Sequence, residues 1–458
     1  MTTQDSKATS NLTQGNIFET LKRMTIPMIL GMILLMSFGL VDTFFVSLLG
    51  TDELAAISFT FPVTFTVISL NIGLGIGTSA IIGKLQGQGD IKNARMYATG
   101  AIMLSTLMVG VLAIIGYFTV EPIFSLLGAT DALLVHISDY MGVWYLSGIF
   151  LCIPMVGNSV LRACGDTKTP SIIMAAGGAI NAALDPLLIF GLGPIEGMGI
   201  KGAAYATLIA WIIGATWIIV LLAHKRKLML PRLLTLAELR ESAASILKIG
   251  LPAAGANMLT PIAGAIMTAV VAGYGAESVA AWGVGNRLES MANIVVLALS
   301  MTLPPFISQN LGAGRLDRVK DAYMATLKFV IGWQLLVFVL LWLTSPLIAE
   351  LFAKEENVAV LIAMFLTIVP LGYGMQGIVI LTNSSFNAMH MPMTALVLSV
   401  LRLFVFFVPI SYAGSYFFGL EGLFIGTVIA NLLMAACSFV WFKNAVNQQS
   451  TQMSESHS

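Results

Sequence analysis

The sequence predicts an all-α polytopic membrane protein with twelve transmembrane helices in two pseudo-symmetric six-helix bundles. Three observations carry this. Of its 458 residues, 57% are hydrophobic and 10% are charged, against about 25% charged in an ordinary soluble domain. Apolar runs long enough to cross a bilayer recur along the whole chain, so one large core does not account for them. Lys and Arg also crowd onto one set of connecting loops.

Taken in order, the first run (about 24–48) follows Lys22 and Arg23. The second (55–82) ends before Lys84, and the third (97–119) starts after Lys92 and Arg95. The fourth (135–158) ends before Arg162, and the fifth (170–190) starts after Lys168. Lys201 lies at the head of the sixth (200–222), which ends at Lys225, Arg226 and Lys227. Arg232, Arg240 and Lys248 precede or open the seventh (247–272), and Arg315, Arg318 and Lys320 separate the eighth (279–308) from the ninth (322–344). Lys354 precedes the tenth (358–385), and the eleventh (394–414) and twelfth (419–443) lead to Lys443. The basic loops fall on alternate turns, on the side that holds both termini, and the opposite loops carry Lys201 and Lys354. Both termini are therefore expected in the cytoplasm of a cell inhabiting this (inner or plasma) membrane.

The expected organisation is a cytoplasmic N-terminal segment (1–23), a first six-helix bundle (24–222), a cytoplasmic linker (223–246), a second bundle (247–443) and a disordered tail (444–458). The start is polar and has no cleavable signal-peptide pattern. Within the linker, "LLTLAELRESAASILK" reads as an amphipathic helix lying at the membrane interface. Cys152, Cys164 and Cys437 have neither disulfide nor zinc spacing and are read as packing residues.

The two bundles share a repeat. At an offset of 225 residues Pro27 falls on Pro252, Gly50 on Gly275, Gly87 on Gly312, Asn158 on Asn383 and Thr169 on Thr394. Both halves hold an even number of spans and so have the same orientation, with a cleft expected between them. Internal repeats with a site near their interface are the architecture of secondary transporters.

Two carboxylates interrupt the apolar runs most deeply, Asp42 in span one and Asp185 in span five. Each lies fifteen residues after a proline, Pro27 or Pro170, about 22 Å further along at about 1.5 Å per residue. Matching depth in parallel spans makes them candidate partners. A charged Asp in mid-span costs roughly 2.5–3.5 kcal/mol on insertion scales and usually serves a function. Burial and a like charge nearby both favour the protonated form of a carboxyl, which suits uptake and release of a proton. Asn181, four residues before Asp185, shares its helical face and is expected to hydrogen-bond it. The same three residues also suit a sodium ion. Tyr140, Tyr145 and Thr207 are weaker candidates for a surrounding hydrogen-bond network, each equally explained by helix packing. Arg287 and Glu289 in span eight are expected to form structural salt bridges, and Arg402 to snorkel or pair internally.

"GLGIGTSA" at 73–80 lies inside an apolar run and is read as helix packing, not as a nucleotide loop. The chain carries no HExxH, GxSxG or Walker-type pattern. That excludes the corresponding hydrolases and ATP-driven pumps, so no enzyme activity and no cofactor are expected. Nor does the composition suggest a nucleic-acid partner.

"VDTFFVSLLGTDELAAISFTFP" (41–62), "GQGDIKNAR" (87–95), "RACGDTKTP" (162–170) and "GAGRLDRVKDA" (312–322) together resemble the multidrug and toxic compound extrusion (MATE) family over nearly the whole chain. Asp42 after Pro27, and "NAALDP" at 181–186, resemble its DinF-like branch. The NorM-like branch carries acids in spans seven and ten, where the corresponding stretches here have none. The resemblance implies a monomeric antiporter that exports cationic or amphipathic small molecules against protons, with sodium as the alternative ion. Pro27 would bend span one when the acids are protonated. The alternative is a lipid-linked oligosaccharide flippase of the same superfamily, expected to line its cleft with cations rather than acids.

Overall fold

The computed structural model describes residues 12–455 except 193 and 354. Lys7, Lys354 and the rest of the first eleven residues and last three therefore fall outside the described residues. Eleven stretches of helix are long and apolar enough to cross a membrane. The last of them, Pro392–Thr451, holds two spans, because the backbone leaves the helical region at Phe418 and Gly419. The protein is thus a multi-pass membrane protein with the twelve spans the sequence predicts. One two-residue hairpin, β1 (Gly191–Leu192) against β2 (Ile195–Glu196), closes the turn after the fifth span.

The chain divides into two compact units, one comprising Arg23–Ala254 and the other Thr13–Lys22 with Gly255–Ser458. In the first, the long helices are α1 (Ile17–Ser47), α2 (Thr51–Gln88) and α3 (Ile91–Phe118). After short α4 (Val120–Leu126) come α5 (Asp131–Ala163), α6 (Lys168–Phe190) and α7 (Ile200–Val220), which runs on as a π-helical turn to Lys225. The turn between α2 and α3 is set by local chemistry. Gly89 takes the left-handed conformation at φ 78°, and the Asp90 side chain then accepts the Asn93 backbone N–H at 3.1 Å to cap α3.

The linker reading needs correction. Helix α8 starts at Leu236 and continues without interruption to Ala272, so the stretch expected to lie on the interface is the beginning of the seventh span. Its start is a reciprocal capping box: the Thr235 N–H donates to Glu238 Oε2 at 2.8 Å and the Glu238 N–H donates to Thr235 Oγ1 at 3.3 Å. Behind it, small residues let helices close up. A Cβ on Gly77 would come within 2.6 Å of the Ile246 carbonyl oxygen, and one on Gly100 within 2.5 Å of Ser242 Cβ. The buried side of this helix outweighs the charges that suggested an interfacial position. Upstream, Arg226 pairs with Asp166 at 2.6 Å and Arg95 Nη2 donates to the Met229 carbonyl at 3.1 Å, which pins the linker to its own unit.

The second unit contains α9 (Ala276–Ala292), α10 (Ile294–Gly312), α11 (Leu316–Phe352), α12 (Glu356–Ile368), α13 (Tyr373–Ala388), α14 (Pro392–Val400) and α15 (Val408–Glu455). Span eight is therefore two helices broken at Asn293. At the break Gln334 of α11 donates from Nε2 to the Ala292 backbone carbonyl at 3.1 Å and to the Asn293 side-chain Oδ1 at 3.2 Å. Span ten bends through a 3-10 turn at Val369–Gly372, where Pro370 supplies no N–H. The core beside these breaks stacks Trp282 on Phe424 at 6.2 Å, with Phe365 edge-on to both. Contrary to the expectation of a disordered tail after residue 443, α15 stays helical to Glu455.

Replacing Gln334 with Leu should strand the Ala292 carbonyl in the core at a cost of about 1–3 kcal/mol. The check is the thermal melting of the purified protein. An unaltered midpoint would show that Gln334 does not support the break.

Candidate functional site

The first unit brings the two intramembrane acids together. Helices α1 and α6 approach closely along one seam: a Cβ on Gly31 would lie 2.9 Å from Ser171 Cα, and one on Gly178 would lie 2.7 Å from the Phe38 ring. Ser171 Oγ also contacts Met28 Sδ at 3.5 Å. The paired positions 31 with 171 and 38 with 178 keep a constant offset, so the helices run parallel. Asp42 and Asp185 lie further along the seam, close enough for their carboxyls to interact. A hydrogen bond between two carboxyl groups requires one of them to carry a proton. Asp185 is fully buried, and neither of its oxygens receives a donor from another described group. Two facing anions there would repel each other in an apolar surrounding.

One helical turn further, Val46, Ile189 and Ala203 form a buried apolar plug, flanked by Phe45, whose ring meets Phe190 edge-on at 6.3 Å. Tyr140 on α5 lies close enough to interact electrostatically with both acids.

The remaining expected site residues divide. Asn181 does not bond Asp185; its Nδ2 donates instead to Thr207 Oγ1 on α7 at 3.3 Å, and Thr207 in turn donates to the Ala203 carbonyl at 3.0 Å. Helical spacing puts Asn181 on the face of Asp185, but α7 supplies the nearer acceptor. Tyr145 turns away to pack against Gly116 of α3, where a Cβ would overlap its ring, and its hydroxyl has no partner. It belongs to the core rather than to the acid site. Pro27 sits inside α1, which is helical on both sides of it.

In the second unit the salt bridges expected of Glu289 do not form. Its Oε1 accepts from Gln376 Nε2 at 2.9 Å, and Arg287 is exposed on another face of α9. Gln376 and Gln334 were not singled out from the sequence. Their signal was available, since each is an amide inside a run of apolar residues.

Among known proteins, the family model described as MatE matches residues 27–187 and 252–413, one match for each half. A protein of Shewanella oneidensis named "FAD transporter" is 40% identical over 94% of this chain and 95% of its own length. The "Multidrug export protein MepA" of Staphylococcus haemolyticus is 26% identical over 93% of each chain. The crystal structure of the Vibrio cholerae MATE transporter VcmN in the bent form is 32% identical, covers 98% of this chain and 99% of that one, and superposes with a TM-score of 0.90.

Proposed function

This chain belongs to the MatE family of membrane transporters, and from that premise we propose that it is a proton-driven exporter working by alternating access, with the Asp42–Asp185 pair as its coupling site. The observation that carries the proposal is the meeting of the two intramembrane carboxyls on neighbouring helices. In this reading the pair, holding one proton, picks up a second from outside, its remaining negative charge disappears, and the hydrogen bonding among α1, α5 and α6 is rearranged. Helix α1 then bends near Pro27 and cargo leaves. Proton release to the cytoplasm restores the starting state. The coupling can shift the equilibrium by no more than the difference in proton affinity between the two states. In this proposal the chain is of the DinF-like branch and lies in the inner membrane with both termini cytoplasmic.

The cargo is an amphipathic compound with a flat aromatic portion. Two readings have support: cationic drugs and dyes, as for the relatives named for multidrug export, and a flavin dinucleotide, favoured by the 40% identical relative named "FAD transporter". Efflux of ethidium and of FAD from proteoliposomes, under an imposed pH gradient with and without sodium, tests the proposal. Efflux driven by the pH gradient alone is expected; efflux that follows sodium and ignores pH refutes proton coupling. Asp185→Asn removes one site for the shared proton and should slow gradient-driven efflux roughly tenfold, which is about 1.4 kcal/mol in the coupled step, and flatten its pH profile. A wild-type profile would make Asp185 a packing residue.

A further inference from the structure

The second unit holds a charged group that the coupling site does not use. Arg402 lies ten residues after Pro392, the start of α14, and at the head of a π-helical segment, Leu401–Phe407. At about 1.5 Å per residue that places it about 15 Å along the span, half of a hydrocarbon core of about 30 Å. Such a residue is costly and normally faces a partner or a water-filled path, and π-helical turns often accompany functional sites. Its guanidinium has neither a hydrogen bond nor an ion pair among the described residues, whose ion pairs are Lys201–Asp139, Arg226–Asp166 and Arg232–Glu238. The residue is half-buried. Glu289 is near enough to balance its charge, yet its carboxylate is drawn to Gln376 at 2.9 Å.

Two more donors in this unit lack acceptors. The Tyr373 hydroxyl, which feels the charge of Glu289, is fully buried and unpartnered, and so is the indole N–H of Trp282 in the same packed group. Unpartnered donors thus outnumber acceptors in this unit, whose core also stacks Trp282, Phe365 and Phe424. The first half has nothing comparable: at the repeat offset of 225 residues, Arg402 corresponds to Gly177 and Glu289 to Thr64.

We infer that Arg402 is the anion-recognition point of a cargo site, and that it binds a phosphate or diphosphate carried by a flat aromatic compound. The planar guanidinium donates two parallel hydrogen bonds to phosphate oxygens, a geometry that Lys does not reproduce. Without cargo Glu289 balances the charge; with cargo the phosphate takes its place. This rests on the flavin-dinucleotide reading of the cargo.

Equilibrium binding to the purified full-length protein in nanodiscs tests it, using flavin fluorescence with FAD, FMN and riboflavin and with inorganic diphosphate as competitor. No gradient is present, so the result reads the site and is independent of proton coupling, which efflux reads. FAD is expected to bind at least tenfold tighter than riboflavin. Arg402→Gln should remove that preference while leaving riboflavin affinity unchanged, and Arg402→Lys should recover part of it. Competition by diphosphate alone, at concentrations near those of FAD, would assign the site to free phosphates and overturn the cargo reading. Equal affinity for the two flavins in the native protein, no binding of either, or an Arg402→Gln variant that weakens both alike would overturn the inference.

Discussion

Asp42→Asn should abolish efflux driven by a pH gradient, leaving cargo to equilibrate no faster than through empty liposomes. The amide keeps the size of the carboxyl and can donate to Asp185, so α1 and α6 should stay together along the Gly31–Ser171 and Phe38–Gly178 contacts. What it cannot do is titrate. With Asn at this position Asp185 faces a permanent donor, and a proton arriving at the pair has one carboxyl to bind instead of two. The loss should exceed tenfold, because the change eliminates the coupled step instead of weakening a contact. Cargo binding without a gradient should persist, which separates the effect from misfolding. The measurement is dye efflux from proteoliposomes at matched protein density. Gradient-driven efflux at the native rate would assign the coupling to other groups.

Gly73→Val should have the largest effect on stability. Gly73 is the point where α2 and α8 touch backbone to backbone: a Cβ there would strike the Gly250 carbonyl oxygen and lie 2.7 Å from the Ala254 nitrogen. Backbone atoms cannot rotate away as a side-chain tip can, so the helices must separate, and the neighbouring contact of Gly77 with Ile246 is lost with them. Overpacking of this kind costs about 1–3 kcal/mol, sometimes more. Gly110→Ala in α3 is the matched control. A Cβ there meets nothing within 4 Å, and Ala in a helix interior is favoured over Gly by about 0.5–1 kcal/mol. Thermal melting in detergent should move down for the first variant and stay level or rise for the second. Equal midpoints would mean that the two helices are not held by this contact.

Most of the architecture could be read from the sequence because a bilayer enforces it: every span must be apolar and hydrogen-bonded within itself, so hydropathy and Lys/Arg placement locate the helices. Where helices break or extend, the governing interactions are tertiary. The continuation of α8 through charged sequence depends on Gly77 and Gly100 admitting it, and the break at Asn293 depends on an amide from α11, forty-one residues away. Asp42 and Asp185 announced themselves as charges in apolar helices at matching depth, and helical spacing alone sufficed to pair them. Side-chain direction was harder. Tyr140 and Tyr145 are five residues apart, so on a helix of 3.6 residues per turn they point about 140° apart, and one faces the acids while the other faces α3. Asn181 had the right face, but its hydrogen bond was decided by Thr207, which comes from a different helix.

The central claim is that the carboxyl pair carries protons in exchange for cargo. Its most direct test is to load proteoliposomes with a pH-sensitive dye, impose a cargo gradient with no initial pH difference, and follow internal pH. The account predicts proton movement opposite to the cargo in the native protein and none above leak in Asp42→Asn. Cargo-driven proton movement that survives in that variant would contradict it.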